Sequence, residues 1–95
     1  MNLVFEWDPG KERANRRKHD VGFEEALTAF GDPLAGIRPD PRHSIGEERF
    51  VIVGRSDHDR LLTVMFTERA ASRIRLYSAR RATSHERHVY EEGYR

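Results

Sequence analysis

A strand-like stretch late in the chain restricts the fold more than any other segment. Within residues 72–81, Ile74 and Leu76 are separated and flanked by polar or aromatic side chains, the period of two expected of a strand with one buried face. Thr83 then precedes Glu86 by three residues, the spacing of a capping box at a helix start. This stretch therefore predicts a strand that leads directly into a helix.

The same stretch carries a concentration of positive charge. Residues 69–81 contain five arginines and no acidic residue. Guanidinium groups and Tyr77 on one side of a strand suit a phosphate backbone and unstacked bases. The whole chain has 17 basic and 16 acidic residues, a net charge of +1, so binding to an anionic polymer would depend on this local patch.

Length and composition indicate a single small domain over residues 1–95. At 37% hydrophobic and 35% charged, the chain has enough apolar residues for one core beneath a polar surface. It has no cysteine, which excludes disulfides and thiolate chemistry and indicates a reducing cytoplasm. It shows no signal-like N-terminus and no apolar run of membrane-spanning length, so we expect a cytoplasmic protein without membrane contact.

The N-terminal third predicts a short strand and an unusually polar helix. The strand covers residues 3–7, and Asp8 and Pro9 supply an N-cap and a first-turn proline for a helix to about His19. Ala14 is the only apolar residue of that helix, so packing alone does not explain it. Helical spacing places four polar side chains on one side, which is either a solvated face or a binding face: Lys11, Asn15, Lys18 and His19.

The next segment predicts an amphipathic helix, followed by an edge strand at residues 34–38. Its apolar positions follow the i, i+3, i+4, i+7 pattern and face a core: Phe23, Ala26, Leu27 and Phe30. Gly31-Asp32-Pro33 ends it.

Residues from 47 onward predict a three-stranded meander, with strands at 49–55, 60–68 and 73–81 joined by residues 56–59 and 69–72. With four-residue connections, Phe66 lies opposite both Arg75 and Arg49, and the helices cover one face. That face carries Phe50, Ile52, Leu61, Met65, Ile74 and Leu76. The arginine-bordered face is expected to point outward, although a one-residue slip would exchange faces.

The predicted fold class is therefore α+β. It consists of an antiparallel sheet, made of the meander plus edge strands, with the two N-terminal helices packed on one face and a C-terminal helix from Thr83 to about Glu92 docked on the sheet.

Taken in order, these segments resemble the BrnT family of bacterial toxins, within the broad RelE-like ribonuclease group. The matching residues are Phe5-Glu6-Trp7-Asp8-Pro9, Asn15, Lys18-His19, Phe23-Glu24-Glu25-Ala26, Phe30, Asp32-Pro33, Glu48-Arg49, Gly54, Arg60-Leu61-Leu62, Phe66-Thr67-Glu68-Arg69, Ile74-Arg75, Ser78-Ala79-Arg80-Arg81-Ala82, Glu86-Arg87 and Tyr90-Glu91. Asp20 stands where the family usually has glycine, and aspartate tolerates the left-handed conformation that a helix end requires.

The resemblance implies a RelE-like fold and a toxin of a type II toxin–antitoxin pair that cleaves RNA and arrests translation. It also implies neutralisation by a cognate BrnA-type antitoxin, in a heterotetramer, with promoter DNA bound only through the antitoxin's ribbon-helix-helix domain. No cofactor or metal is implied.

Metal-independent RNA cleavage needs proton transfer, alignment, and cations that stabilise the phosphorane. For proton transfer the candidates are His19 and Glu68, with Glu47 in reserve. The phosphate-stabilising candidates are Arg49 and Arg75, then Arg80. The RNA-binding candidates are Lys18, Arg60, Tyr77 and Arg81.

Simpler interpretations stay open at this point. Arg49 or Arg75 could form an ordinary cross-strand ion pair with Glu47 or Glu68, and His19 could be a helix C-terminal residue favoured by the dipole. Two other functions also remain: a module that binds RNA or the ribosome without cutting, and a protein-interaction domain that docks an acidic partner.

Overall fold

The computed structural model describes residues 2–93, which form five strands and three α-helices in the order predicted from the sequence. The strands are β1 (Val4–Glu6), β2 (Gly36–Pro39), β3 (Phe50–Arg55), β4 (Leu61–Ala70) and β5 (Arg73–Arg81). The helices are α1 (Pro9–His19), α2 (Phe23–Ala26) and α3 (Ser84–Glu92). No helix within these residues is both long and apolar enough to cross a bilayer.

The helix ends are formed by the side chains that the sequence indicated. Asp8 accepts a hydrogen bond from the Lys11 amide at the start of α1, and Thr83 forms the predicted capping box with Glu86 at the start of α3. Asp20 ends α1 in the left-handed conformation, at φ 58°. These local predictions are confirmed because each depends only on neighbouring residues.

The predicted second helix is present in two parts. α2 ends at Ala26, and residues Leu27–Gly31 continue as a 3₁₀ turn. This turn packs directly on β3 at Gly54, where an added Cβ would lie 2.7 Å from the Ala29 carbonyl oxygen. The close approach explains why this strand position carries glycine.

The sheet has the strand order β1-β5-β4-β3-β2. The antiparallel meander of β3, β4 and β5 is present as predicted, and β2 adds an antiparallel edge strand. The prediction of a wholly antiparallel sheet is wrong, since β1 pairs in parallel with β5. A parallel pair needs a crossover connection, and here that connection contains α1, α2 and the other three strands.

The predicted register is wrong by one residue on both sides of β4. Phe66 pairs with Phe50 and Leu76 rather than with the predicted arginines. The β3–β4 turn is one residue longer than predicted. On the β5 side, Arg69 is an extra residue of β4, because Glu68 and Ala70 pair with the consecutive residues Ile74 and Arg73. Tyr77 is then an extra residue of β5, between Leu76 and Ser78, which pair with consecutive residues of β4. Such bulges leave no reliable signal in a hydrophobic pattern.

Two apolar clusters occupy opposite faces of the sheet. The helix-side cluster contains Val21, Phe23, Ala26, Ala29, Ile52, Leu62, Val64, Phe66, Ile74, Leu76 and Ala79. The other contains Val51, Val53 and Leu61, with Met65, Ala82 and Tyr90 packed against it. Leu61 and Met65 are therefore on the face opposite to the predicted one. Because Tyr90 belongs to the second cluster, α3 covers part of the face that was expected to point outward.

Candidate active site

The candidate site lies where α1 crosses the edge of β5. β1 pairs only with residues Arg73–Arg75, so the second half of β5 has no strand neighbour on that side. Asn15, a buried residue of α1, substitutes for one: its Nδ2 donates to the Ala79 carbonyl at 2.8 Å and its Oδ1 accepts from the Ala79 amide at 3.1 Å. Nδ2 also donates to the Val21 carbonyl at 2.8 Å. These hydrogen bonds fix the helix against the strand.

A cavity of about 210 Å³ opens between the two elements. Its lining residues are Lys11, Ala14, Asn15, Lys18, His19, Tyr77 and Ser78. The structure thus brings together three of the predicted site residues, His19, Lys18 and Tyr77. It adds four lining residues that were not among the predicted site residues: Lys11, Ala14, Asn15 and Ser78. Helical spacing had already placed Lys11 and Asn15 on the same side as Lys18 and His19, whereas the direction of Ser78 could not be predicted, because it depends on the bulge.

Tyr77 is the central side chain of the site. The Arg49 guanidinium carbon lies 3.9 Å from its ring centroid, and Lys11 Nζ lies 5.8 Å from it, both within cation–π range. Its hydroxyl donates to Glu47 Oε1 at 2.5 Å. Burial, together with this hydrogen bond, raises the pKa of Tyr77, so the phenol is neutral at pH 7.

Glu47, the reserve candidate, is the carboxylate at this site. The hydrogen bond from Tyr77 lowers its pKa, and the charges of Arg69, Arg49 and Arg75 lower it further. Glu47 is therefore ionised at neutral pH and suited to orienting Tyr77, but not to supplying a proton.

The two leading arginines differ in their partners. Arg49 Nη2 lies 3.8 Å from Glu47, beyond hydrogen-bond distance, and its buried Nε makes no hydrogen bond with any described residue. Arg75 donates to Glu6 Oε2 at 3.1 Å, across the β1–β5 pair. Arg49 therefore keeps more donor capacity for an anionic ligand.

Arg80 and Arg60, both predicted site residues, instead form internal ion pairs away from the cavity. Arg80 donates to Glu86 through two bonds of 2.8 and 3.0 Å. Burial opposes ionisation of Glu86, but hydrogen bonds from Arg80, Thr83 and Thr63 outweigh it and lower the pKa to about 2. Arg60 donates to both carboxylate oxygens of Glu25 and to the Asp20 carbonyl. Both arginines hold helices to the sheet.

Glu68 and Arg81 are also outside the cavity. Glu68 is exposed and borders an apolar groove formed by Leu3, Phe30, Ile37, Phe50, Phe66 and Ile74, on the helix side of the sheet. The predicted placement of Glu68 on the same face as Arg75 is wrong, because Thr67 pairs with Arg75 and Glu68 with Ile74. Glu68 does share a depression with Glu47 and Arg69. Arg81 is exposed, opposite Leu62.

The fold and site together define a small α+β protein with a cationic cleft suited to an anionic ligand. Residues 7–86 match a family described as the ribonuclease toxin BrnT of type II toxin–antitoxin systems. The chain belongs to this family, as the sequence resemblance predicted, and the family is one of ribonuclease toxins that act with an antitoxin partner.

A solved structure has the same fold. The chain resembles the crystal structure of the Brucella abortus ribonuclease toxin BrnT with a TM-score of 0.65 and 20% sequence identity, over 88% of this chain and 99% of that one. This similarity confirms the α+β fold. A comparison with curated proteins gave no match.

Proposed function

We propose that the protein is a metal-independent endoribonuclease and that the cleft between α1 and β5 holds the ribose–phosphate linkage it cuts. The observation that supports this most directly is the convergence of Lys11, Lys18 and His19 with Tyr77 on one cavity, with Arg49 stacked on the tyrosine. Two lysines beside an imidazole that can accept a proton suit phosphoryl transfer without a metal. Family membership favours RNA as the substrate.

Each side chain has a separate role in this proposal. The 2′-hydroxyl attacks the adjacent phosphorus while its proton passes to His19. The bond from phosphorus to the 5′-oxygen then breaks, and the leaving oxygen takes a proton from water. The two lysines hold the phosphate, and Arg49 stabilises the extra negative charge of the phosphorane. Tyr77 stays neutral, with its single hydroxyl proton donated to Glu47. Its ring holds Arg49 by stacking and can stack on an unpaired base.

Within residues 2–93, no three His, Asp or Glu side chains form a cluster that could hold a metal ion.

The test of the proposed function is to incubate the purified protein with single-stranded RNA in excess EDTA. Cleavage to 2′,3′-cyclic or 3′-phosphate ends, lost in His19→Ala, is the expected result. Intact RNA with tight binding would instead favour a non-catalytic binding module, and neither cleavage nor binding would favour a pure interaction domain.

We further propose that the protein acts in the cytoplasm, arrests translation, and is neutralised by a BrnA-type antitoxin in a heterotetramer that reaches promoter DNA through a ribbon-helix-helix domain. Family membership supports an antitoxin partner. Induced expression with and without the product of the neighbouring reading frame tests this. Arrest that the second protein does not relieve would contradict it.

A further inference from the structure

The outer surface of α1 carries positive charge that the proposed cleft does not use. The helix has five lysine and arginine side chains and one glutamate. Lys11 and Lys18 line the cleft, and Arg16 pairs with Glu12 at 3.2 Å. Arg13 and Arg17 are exposed, and among the described residues neither takes part in an ion pair. With Arg16 they line a shallow depression of about 290 Å³.

The stability of the helix does not explain this arrangement. Arg13 and Arg17 are four residues apart, so they lie on the same face one turn apart, and like charges at that spacing destabilise a helix. Arg17 is in the last turn, where the helix dipole favours a cation, but Arg13 is too far from the C-terminus to gain from it. A bound anion would turn this repulsion into attraction.

The arginines are continuous with the cleft around the helix. Successive residues are 100° apart, so Ala14 lies between Lys18, which faces the cleft, and Arg17. Ala14 is exposed and lines the cleft, and its methyl group leaves room for a chain to pass over α1. Arg13 and Arg17 are separated by about 6 Å along the helix axis.

We propose that Arg13 and Arg17 form a secondary binding site for single-stranded RNA, where they contact backbone phosphates of nucleotides that flank those in the cleft. This proposal rests on the proposed function, because it assumes that the cleft itself holds RNA. The protein then holds a longer segment of RNA than its cleft can contain.

The experiment compares the affinities of 2′-O-methyl oligonucleotides of four and twelve nucleotides, which lack the attacking hydroxyl and cannot be cut by the proposed mechanism. In Arg13→Gln/Arg17→Gln we expect the Kd of the twelve-mer to rise about tenfold at 0.15 M salt. The slope of log K against log salt should fall by about 1.4, or about 0.7 for each lost phosphate contact. The Kd of the four-mer should not change.

The matched control is Arg42→Gln/Arg87→Gln, which removes the same charge from exposed arginines elsewhere and should leave both affinities unchanged. If both double variants weaken RNA binding equally, the effect reflects net charge, and the proposal is overturned. If Arg13→Gln/Arg17→Gln weakens binding of the four-mer and the twelve-mer equally, the effect reflects the cleft, and the proposal is also overturned. We expect Arg13→Gln/Arg17→Gln to melt at the same temperature as wild type or slightly above it. A lower melting temperature of this variant would also overturn the proposal.

Failure of the proposed function would look different. If wild-type protein leaves ordinary RNA intact but binds the twelve-mer through Arg13 and Arg17, the nuclease proposal fails and the secondary site stands. If it cuts RNA and the double variant binds the twelve-mer as well as wild type, the secondary site fails alone. If Arg13→Gln/Arg17→Gln binds RNA as tightly as wild type but binds polyglutamate more weakly, the two arginines form a protein-docking surface, and the proposal is also overturned.

Discussion

Four half-buried arginines show how little exposure alone says about the role of a residue. The side chains of Arg49, Arg75, Arg80 and Arg60 are 31, 28, 31 and 22% exposed, yet their partners differ completely. Arg80 and Arg60 each make paired hydrogen bonds to one carboxylate, whereas Arg49 stacks on a tyrosine and leaves Nε unpaired. The sequence identified all four as candidates, and their partners distinguish Arg49, which the proposed mechanism uses, from Arg80 and Arg60, which join helices to the sheet.

Arg49→Lys tests the stacked guanidinium while keeping its charge. Lysine cannot reproduce the planar contact with Tyr77 or bidentate binding to phosphate, so we expect kcat for RNA cleavage to fall about a hundredfold, or about 3 kcal/mol. The melting temperature should change little. A rate within threefold of wild type would remove Arg49 from the proposed mechanism.

Arg80→Gln should have the opposite effects, a loss of stability with little change in kcat. It leaves the ionised Glu86, whose side chain is only 11% exposed, without its main cationic partner, and breaking such a pair costs about 3 kcal/mol. We expect urea denaturation to show this loss. At temperatures where the variant is folded, kcat should stay within a few-fold of wild type. A large loss of kcat without destabilisation would indicate that Arg80 acts in the active site.

At the scale of elements, the position of α1 depends on Asn15. The helix has no apolar face, and Asn15 replaces the missing strand neighbour of β5 through Ala79. Asn15→Ala would leave the buried amide and carbonyl of Ala79 without partners, at a cost of about 2–4 kcal/mol. Because α1 carries Lys11, Lys18 and His19, RNA cleavage should also fall. Urea denaturation and initial rates measure the two effects, with exposed Asn2→Ala as a neutral control.

The same scale shows what the sequence could predict. Helix starts at Asp8 and Thr83 and the three meander strands follow from local spacing, so they were identified correctly. The face of the sheet to which each β4 side chain points was not predicted correctly, because it depends on one extra residue in the β3–β4 turn and on the extra residue Arg69 next to the β4–β5 turn. The cavity residues on α1 were predictable from helical period, but the replacement of Glu68 by Glu47 as the site carboxylate required the register.

On the scale of the whole molecule, three carboxylates join the helices to the sheet. Glu25 of α2 binds Arg60, and Glu86 of α3 binds Arg80. Asp32 accepts from the Arg55 amide at 2.7 Å and from the Tyr90 hydroxyl of α3 at 2.6 Å. The hydrogen bond from Arg60 lowers the pKa of Glu25. At Asp32, burial opposes ionisation, but the hydrogen bonds from Tyr90 and Arg55 outweigh it and lower the pKa.

Lowered carboxyl pKa values make the fold sensitive to acid. A depressed pKa stabilises the folded state above the unfolded value and loses that contribution as pH falls through the folded value. For Glu86 these values are 4.5 and about 2, so about 2 kcal/mol should be lost between pH 7 and pH 3, with further losses from Glu25 and Asp32. Urea denaturation at pH 7, 4 and 3 measures the decline.

Two variants connect this decline to particular carboxylates. Glu86→Gln should be less stable than wild type at pH 7 and approach it by pH 3, since glutamine resembles the protonated acid. Exposed Glu24→Gln, which changes the same charge without breaking an internal contact, should follow the wild-type profile. A wild-type unfolding free energy that stays constant down to pH 3 would mean that ionisation of Glu86, Glu25 and Asp32 adds nothing to the stability of the fold.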